Sequence, residues 1–186
     1  GAKVHKTKPD DPDTWPKGFA EVFREVESAI NKTTKFDKPI KITRGLWFSS
    51  TFTVDVWYDA WHKKKLVPQN GFNSCATTGT PEDFAGTGEL IMAVKQGLDL
   101  TPYSKTPNEC EVLLQHGTLL LVRNIDPPKP SADPNTKYKI YVEQILVKEG
   151  VKSKWAKLDK GDSFDGDKHD RMDHPEFEAM MQWSRA

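Results

Sequence analysis

Cysteine is scarce in this chain, long apolar runs are missing, and neither sign of charge is in excess. Cys75 and Cys110 are the only two thiols in 186 residues. Two are too few for a disulfide scaffold, and their spacing suits no metal. The expectation is two free, buried thiols. No apolar stretch approaches the roughly 18 residues that span a bilayer, so no membrane partner is expected. Lysine plus arginine equal aspartate plus glutamate, 27 against 27. Net charge therefore gives no pull toward nucleic acid or an anionic surface. The start, "GAKVHKTKPDDPDTWPKG", has no apolar h-region of a Sec-type signal. Its Gly-Ala fits a cloning scar on a fragment of something longer.

Other absences concern chemistry. There is no GxxxxGK, and no GxGxxG follows a strand, so no dinucleotide is expected to bind in the Rossmann manner. His62, His116, His169 and His174 lack zinc spacing. The tail "DKGDSFDGDKHDRMDH" invites a calcium reading but fails the EF-hand template. With Gly166 at the required glycine, Gly161 takes the first ligand position and Met172 the twelfth. It reads as a solvated charged loop, and no metal is expected. No internal repeat or heptad array occurs.

What is present reads as a polar, flexible lead-in over residues 1–13 and one domain over 14–186, a length that supports one sizeable core. Asp13 or Thr14 suits a helix cap and Pro16 a first turn. Phe19, Val22, Phe23, Val26 and Ile30 then recur at helical steps and predict one apolar stripe. From Pro39 the pattern turns to strands, "PIKITRGLWF" and "STFTVDVWY". "DAWHKKKLV" fits a short helix or a strand end, and "FNSCATT" a short strand. A helical turn is expected over Pro81–Ala85, and "ELIMAVKQG" is either a buried strand or a short helix. "LDLTPYSKTPN" and "DPPKPSADPNT" are proline-bearing loops. "ECEVLLQHGTLLLVRNI" reads as two strands joined at Gly117, and "KYKIYVEQILV" alternates as a strand. A helix is predicted over Pro175–Trp183. Strands that mostly follow one another imply an α+β domain.

The stretch "NECEVLL" carries the chemistry. On a strand, Glu109 and Glu111 would share one face, about 6–7 Å apart at ~3.3 Å per residue. Two like charges so placed are either solvated at a strand edge or part of a site that handles a developing cation. In the second case one carboxylate stays ionised and its neighbour handles a proton, which suits cleavage of a glycosidic bond.

Two other stretches precede it in order: "TRGL" with Arg44, and "GFNSCATT" with Ser74. Ser74 lies 30 residues after Arg44, and Glu111 lies 37 after Ser74. Read singly, Arg44 could serve a surface ion pair, Ser74 a turn, and Phe72 the core. Taken together, these motifs resemble the ADP-ribosyltransferase family, arginine–serine–glutamate class, which includes bacterial toxins. "TRGL" resembles its arginine–glycine strand, and "ECEVLLQHGT" its Glu-x-Glu strand. "FNSCA" keeps the first serine of the aromatic–x–Ser-Thr-Ser element, with Cys75 and Ala76 in place of Thr-Ser. The likeness spans about Pro39 to Val147.

The resemblance implies two packed, mostly antiparallel sheets with N-terminal helices, and NAD as co-substrate. It assigns Arg44 to the diphosphate, which a planar guanidinium grips bidentately, with Gly45 beside it. Phe72 would lie against the nicotinamide and Ser74 would orient the ribose or Glu111. Glu111 would stabilise positive charge at the anomeric carbon, and Glu109 would act on the nucleophile. Tyr103, in the preceding loop, would touch the acceptor. The implied activity is glycosyl transfer of the EC 2.4.2 type. It would be that of a secreted effector in the target-cell cytoplasm, with a protein arginine as acceptor and an immunity protein as a possible partner. The same residues accommodate an NAD glycohydrolase or transfer to structured RNA. A binding module, to which the acidic pair is incidental, is the non-enzymatic alternative.

Overall fold

A computed structural model describes residues 15–33, 35–47, 56, 58–59, 61, 66–69, 71–79, 86–147, 166–167 and 169–182. The expected lead-in, the caps at Asp13 and Thr14, the turn at Pro81–Ala85 and half of the acidic tail (159–165 and 168) lie outside them. The described half of that tail is not the solvated loop expected: His169–Asp170 form a short strand and Met172 is buried.

Helix α1 spans Lys17–Lys32, with Pro16 at its N-cap and the Pro16 carbonyl accepting from the amides of Phe19 and Ala20. Its buried face differs from the expected stripe. Ala20, Phe23 and Ile30 are buried, whereas Phe19 and Val22 are 64% and 60% exposed. Ala20 and Phe23 are one turn apart and Phe23 and Ile30 two, with half-buried Glu27 between them completing the line. The buried face is narrower than the apolar stripe because apolar type alone does not say which edge meets the core.

Strands β1 (Ile40–Leu46), β2 (Leu66–Pro68), β3 (Asn73–Ala76), β4 (Gly88–Val94) and β5 (Leu98–Asp99) precede two one-turn 3-10 segments, Thr101–Tyr103 and Pro107–Glu109. Then come β6 (Glu111–Leu114), β7 (Leu119–Asp126), β8 (Tyr138–Val147), the short β9 (His169–Asp170) and helix α2 (His174–Met181). The described part of "STFTVDVWY" departs from expectation. Its Val56 and Tyr58 are helical, and so are Asp59 and Trp61 of "DAWHKKKLV", for which a short helix is one of the two expectations. Tyr58 and Trp61 are buried and three residues apart, so burial at helical spacing overrides the strand propensity of their β-branched and aromatic neighbours. "ELIMAVKQG" resolves as strand β4. Leu90, Met92 and Val94 enter one core cluster and Ile91 and Ala93 another. A strand buried on both faces loses its alternation, which explains the ambiguity in its sequence.

The strands run in the order β2-β7-β8-β4-β1-β3-β6-β5, with β9 on β8. All pairs are antiparallel except β4 with β8. The order divides naturally at β1 and β3, which share only the pair Thr43 opposite Ala76. On one side stand β2, β7, β8, β4 and β1, and on the other β3, β6 and β5. One cluster unites Ile42, Leu90, Met92, Ile140 and Val142 of the larger part with Cys75, Val112 and Leu114 of the smaller. The two parts therefore pack on each other. The turn at Gly117, at φ 76°, does not close a hairpin. It carries the chain from β6 in the small part to β7 in the large one.

On the far face of the large part, α2 packs Phe177 and Met181 against Ile91, Ala93 and Tyr141. A bulge between Val122 and Asn124 interrupts the β7–β8 register at Arg123. The Arg123 guanidinium lies 5.0 Å over the Phe177 ring and 3.6 Å from the Glu143 carboxylate, and it donates to the Met172 carbonyl at 2.9 Å. Glu143 is fully buried and accepts the Met172 amide at 2.9 Å.

Candidate active site

The β3–β6 pair builds the centre of the site. Ala76 stands opposite Glu111 and Ser74 opposite Leu113, so Ser74 and Glu111 are diagonal neighbours on one face. The Ser74 hydroxyl donates to Glu111 Oε1 at 2.5 Å. The Leu100 amide donates to the Glu111 carbonyl at 2.9 Å, tying the start of β6 to the chain leaving β5.

Glu109 does not share that strand face, contrary to the expectation from alternation. It ends the second 3-10 turn, and Cys110 follows in the left-handed region at φ 47°, ψ 53°. Strand β6 begins only at Glu111. The Cys110 carbonyl still accepts the Thr77 amide at 3.1 Å, while its own amide donates to the Pro107 carbonyl at 3.1 Å. These bonds hold a conformation that costs a non-glycine residue on the order of 1–3 kcal/mol. Cys110 is also only partly buried, not buried as expected. The two glutamates thus leave the chain from different backbone shapes.

Arg44 reaches the same strand. Its Nη1 donates to Asn73 Oδ1 at 2.6 Å, and Asn73 Nδ2 donates to the Gly71 carbonyl at 3.2 Å. Asn73 and Cys75 are buried and Ser74 between them is exposed. Arg44 therefore meets β3 through an inward residue, while the Ser74–Glu111 pair stands outward. Both charges act on the Cys75 thiol. Burial pushes it up to about 12, Arg44 pulls it down, and Glu111 adds to the rise. Gly45 lies on β1 opposite Glu89. Phe72 packs on Phe23 of α1 with centroids 5.0 Å apart. Tyr103 lies in the first 3-10 turn and is 79% exposed.

Helix α1 docks beside this strand. Phe23 sets its ring edge-on to His116 at 5.2 Å, and His116 Nδ1 accepts the Gly71 amide at 2.6 Å. Gln115 donates to Asn31 at 3.0 Å and to Glu27 at 3.3 Å. Burial raises the Glu27 pKa, and the Gln115 bond opposes the rise. Asn73 is the residue that sequence reasoning passed over. Its signal was an amide inside a strand, where asparagine is depleted, directly before the serine.

No known family model matches the chain, and no curated protein does. Solved structures do. The chain is similar to the ADP-ribosyltransferase HopU1 of Pseudomonas syringae at 16% identity and TM-score 0.58, over 75% of this chain and 60% of that one. It is similar to an ADP-ribosyltransferase of Clostridium botulinum at 17% identity and TM-score 0.56, over 73% of this chain and 74% of that one. The chain has the ADP-ribosyltransferase fold. The ADP-ribosylating toxin BECa of C. perfringens, solved with NADH, is similar over 70% of this chain and 36% of its own, at 20% identity and TM-score 0.53. This chain thus spans less than two thirds of HopU1 and of BECa. At such identities the likeness fixes the ADP-ribosyltransferase fold, with its split sheet, and leaves the reaction to the side chains. Among the described residues, no group of three or more His, Cys, Asp or Glu is placed to hold a metal. No helix among them is long and apolar enough to cross a membrane.

Proposed function

We propose that this chain is a single catalytic domain, a mono-ADP-ribosyltransferase of the arginine–serine–glutamate class. It transfers ADP-ribose from NAD to a protein arginine and releases nicotinamide. The observation that carries the reading is the Ser74–Glu111 hydrogen bond beside a strand that also anchors Arg44. The fold supports it, and so do neighbours described as ADP-ribosyltransferases and toxins. A toxin role in a target-cell cytoplasm rests on that likeness.

The donor set fits NAD by its chemistry: a guanidinium for the diphosphate, a hydroxyl and a carboxylate for a ribose. NAD supplies an N-glycosidic bond whose cleavage leaves positive charge at the anomeric carbon, the electron pair departing with nicotinamide. Arg44 holds the diphosphate where the substrate passes the start of β3, with Gly45 beside it and Phe72 as the apolar wall. Glu111, held by Ser74, accepts a hydrogen bond from the ribose 2′-hydroxyl and faces the developing charge. Glu109, free of the strand face, takes the proton that an acceptor guanidinium nitrogen loses as it bonds the anomeric carbon. Tyr103 is exposed where an acceptor would approach.

Incubation with labelled NAD and a cell lysate, followed by protease or RNase, tests the assignment. Protease-sensitive label is expected. Glu111→Ala should abolish label and nicotinamide release, whereas Glu109→Ala should keep part of the release. Nicotinamide without labelled macromolecule would make the chain a glycohydrolase, and RNase-sensitive label would move the acceptor to RNA. No NAD turnover would leave a binding module.

A further inference from the structure

We infer that Asn73 is a positioning residue for NAD binding, acting through Arg44. The inference rests on the proposed function and adds a residue to it. An arginine side chain has four rotatable bonds, and fixing it costs rotamer entropy. A guanidinium that waits in place for a diphosphate spares that cost at binding. Arg44 is half-buried near the seam where β1 and β3 share a single residue pair. There the ladder alone does little to fix what lies between the strands.

Asn73 supplies the fixing contact. Its side-chain oxygen takes one Nη of Arg44 at 2.6 Å. The guanidinium carries five N–H donors, so this bond leaves the others for phosphate oxygens. The amide of Asn73 is itself held, because its nitrogen donates to the Gly71 carbonyl. That loop is held in turn by the bond from the Gly71 amide to His116. Only an uncharged acceptor serves here. A carboxylate at position 73 would pair with the guanidinium and compete with the diphosphate for its charge. Asparagine holds the fork and leaves its charge for the ligand. Asn73 also precedes Ser74 directly, so one short strand orients Arg44 from one side and Glu111 from the other.

Steady-state nicotinamide release tests this in four proteins: wild type, Asn73→Ala, Arg44→Ala and the double variant. Asn73→Asp serves as a second single substitution. Thermal melting establishes that each is folded. Asn73→Ala should raise the KM for NAD about tenfold, the weight of a hydrogen bond to a charged group, with kcat changed less than twofold. Asn73→Asp should also raise KM. In the Arg44→Ala background, removing Asn73 should change KM by less than twofold, because the residue through which it acts is gone. A folded Asn73→Ala or Asn73→Asp protein with wild-type KM would overturn the inference and leave the proposed function standing. So would a loss in kcat alone, or equal effects of Asn73→Ala with and without Arg44. Wild-type protein that releases no nicotinamide would overturn both.

Discussion

Ser74 and Cys75 are neighbours in sequence with opposite fates, because a strand turns successive side chains to opposite faces. Ser74 is exposed and bonded to Glu111, while Cys75 is sealed in the core between the two parts of the sheet. That seal sets its chemistry. With its pKa pushed up to about 12, mainly by burial, Cys75 stays a thiol at pH 7.5. Cys110 is partly exposed, with its Sγ 3.6 Å from the Pro107 carbonyl. Iodoacetamide at pH 7.5, read by peptide mass spectrometry, should label Cys110 and spare Cys75 in the folded protein. Comparable labelling of both would mean the β3–β6 face is not sealed as described. Cys75 thus stands as core where the family pattern has a polar residue, and its substitution leaves the Ser74–Glu111 bond intact.

At the scale of elements, α1 is held by a narrow face. Phe23 is buried between Trp15, Phe72 and His116, with centroid separations of 4.8, 5.0 and 5.2 Å. Phe19, one turn earlier and equally apolar, is mostly exposed. Phe23→Ala should therefore cost about 3–5 kcal/mol of unfolding free energy by the usual weight of a buried ring. Phe19→Ala should stay within about 0.5 kcal/mol. Urea titration of both variants measures the contrast, and similar losses would restore the broad stripe that periodicity suggested. Because Phe72 immediately precedes Asn73, loosening α1 should also disturb the start of β3. The bulge at Arg123 works in the same way on the opposite face, aiming a charged side chain at α2 where a regular ladder would continue.

For the molecule as a whole, Glu143 joins the C-terminal segment to the sheet. Burial raises its pKa above the ordinary carboxylate value. The Met172 amide pulls it down, as do Arg123, Lys95 and Arg171, without cancelling the rise. A carboxyl group with a raised folded pKa contributes stability that is fully present below its unfolded pKa and is lost as pH rises through the folded one. Glutamine mimics the protonated form and does not titrate. The unfolding free energy of Glu143→Gln minus that of wild type should therefore increase from pH 4 to pH 7. Urea unfolding at the two pH values measures it. A constant or falling difference would show that ionising Glu143 in the fold has no net cost.

Several features were legible in the sequence because they depend on local chemistry. The strands β1, β3, β6, β7 and β8 followed from alternation and β-rich composition, and the closing helix from its pattern. The order of Arg44, Ser74 and Glu111 pointed to three segments that the fold does bring to neighbouring strands. What the tertiary structure decided is the pairing. Nothing in "QHGT" says that β6 and β7 part company there, since strand partners are chosen by contacts far away in the chain. Nor does "NECEV" reveal that Cys110 turns left-handed, because that conformation is maintained by Pro107 and by Thr77, more than thirty residues upstream. The bond between Arg44 and Asn73 arises in the same way. Residue types can be read one at a time, but which groups meet depends on how two sheet parts close over a shared core.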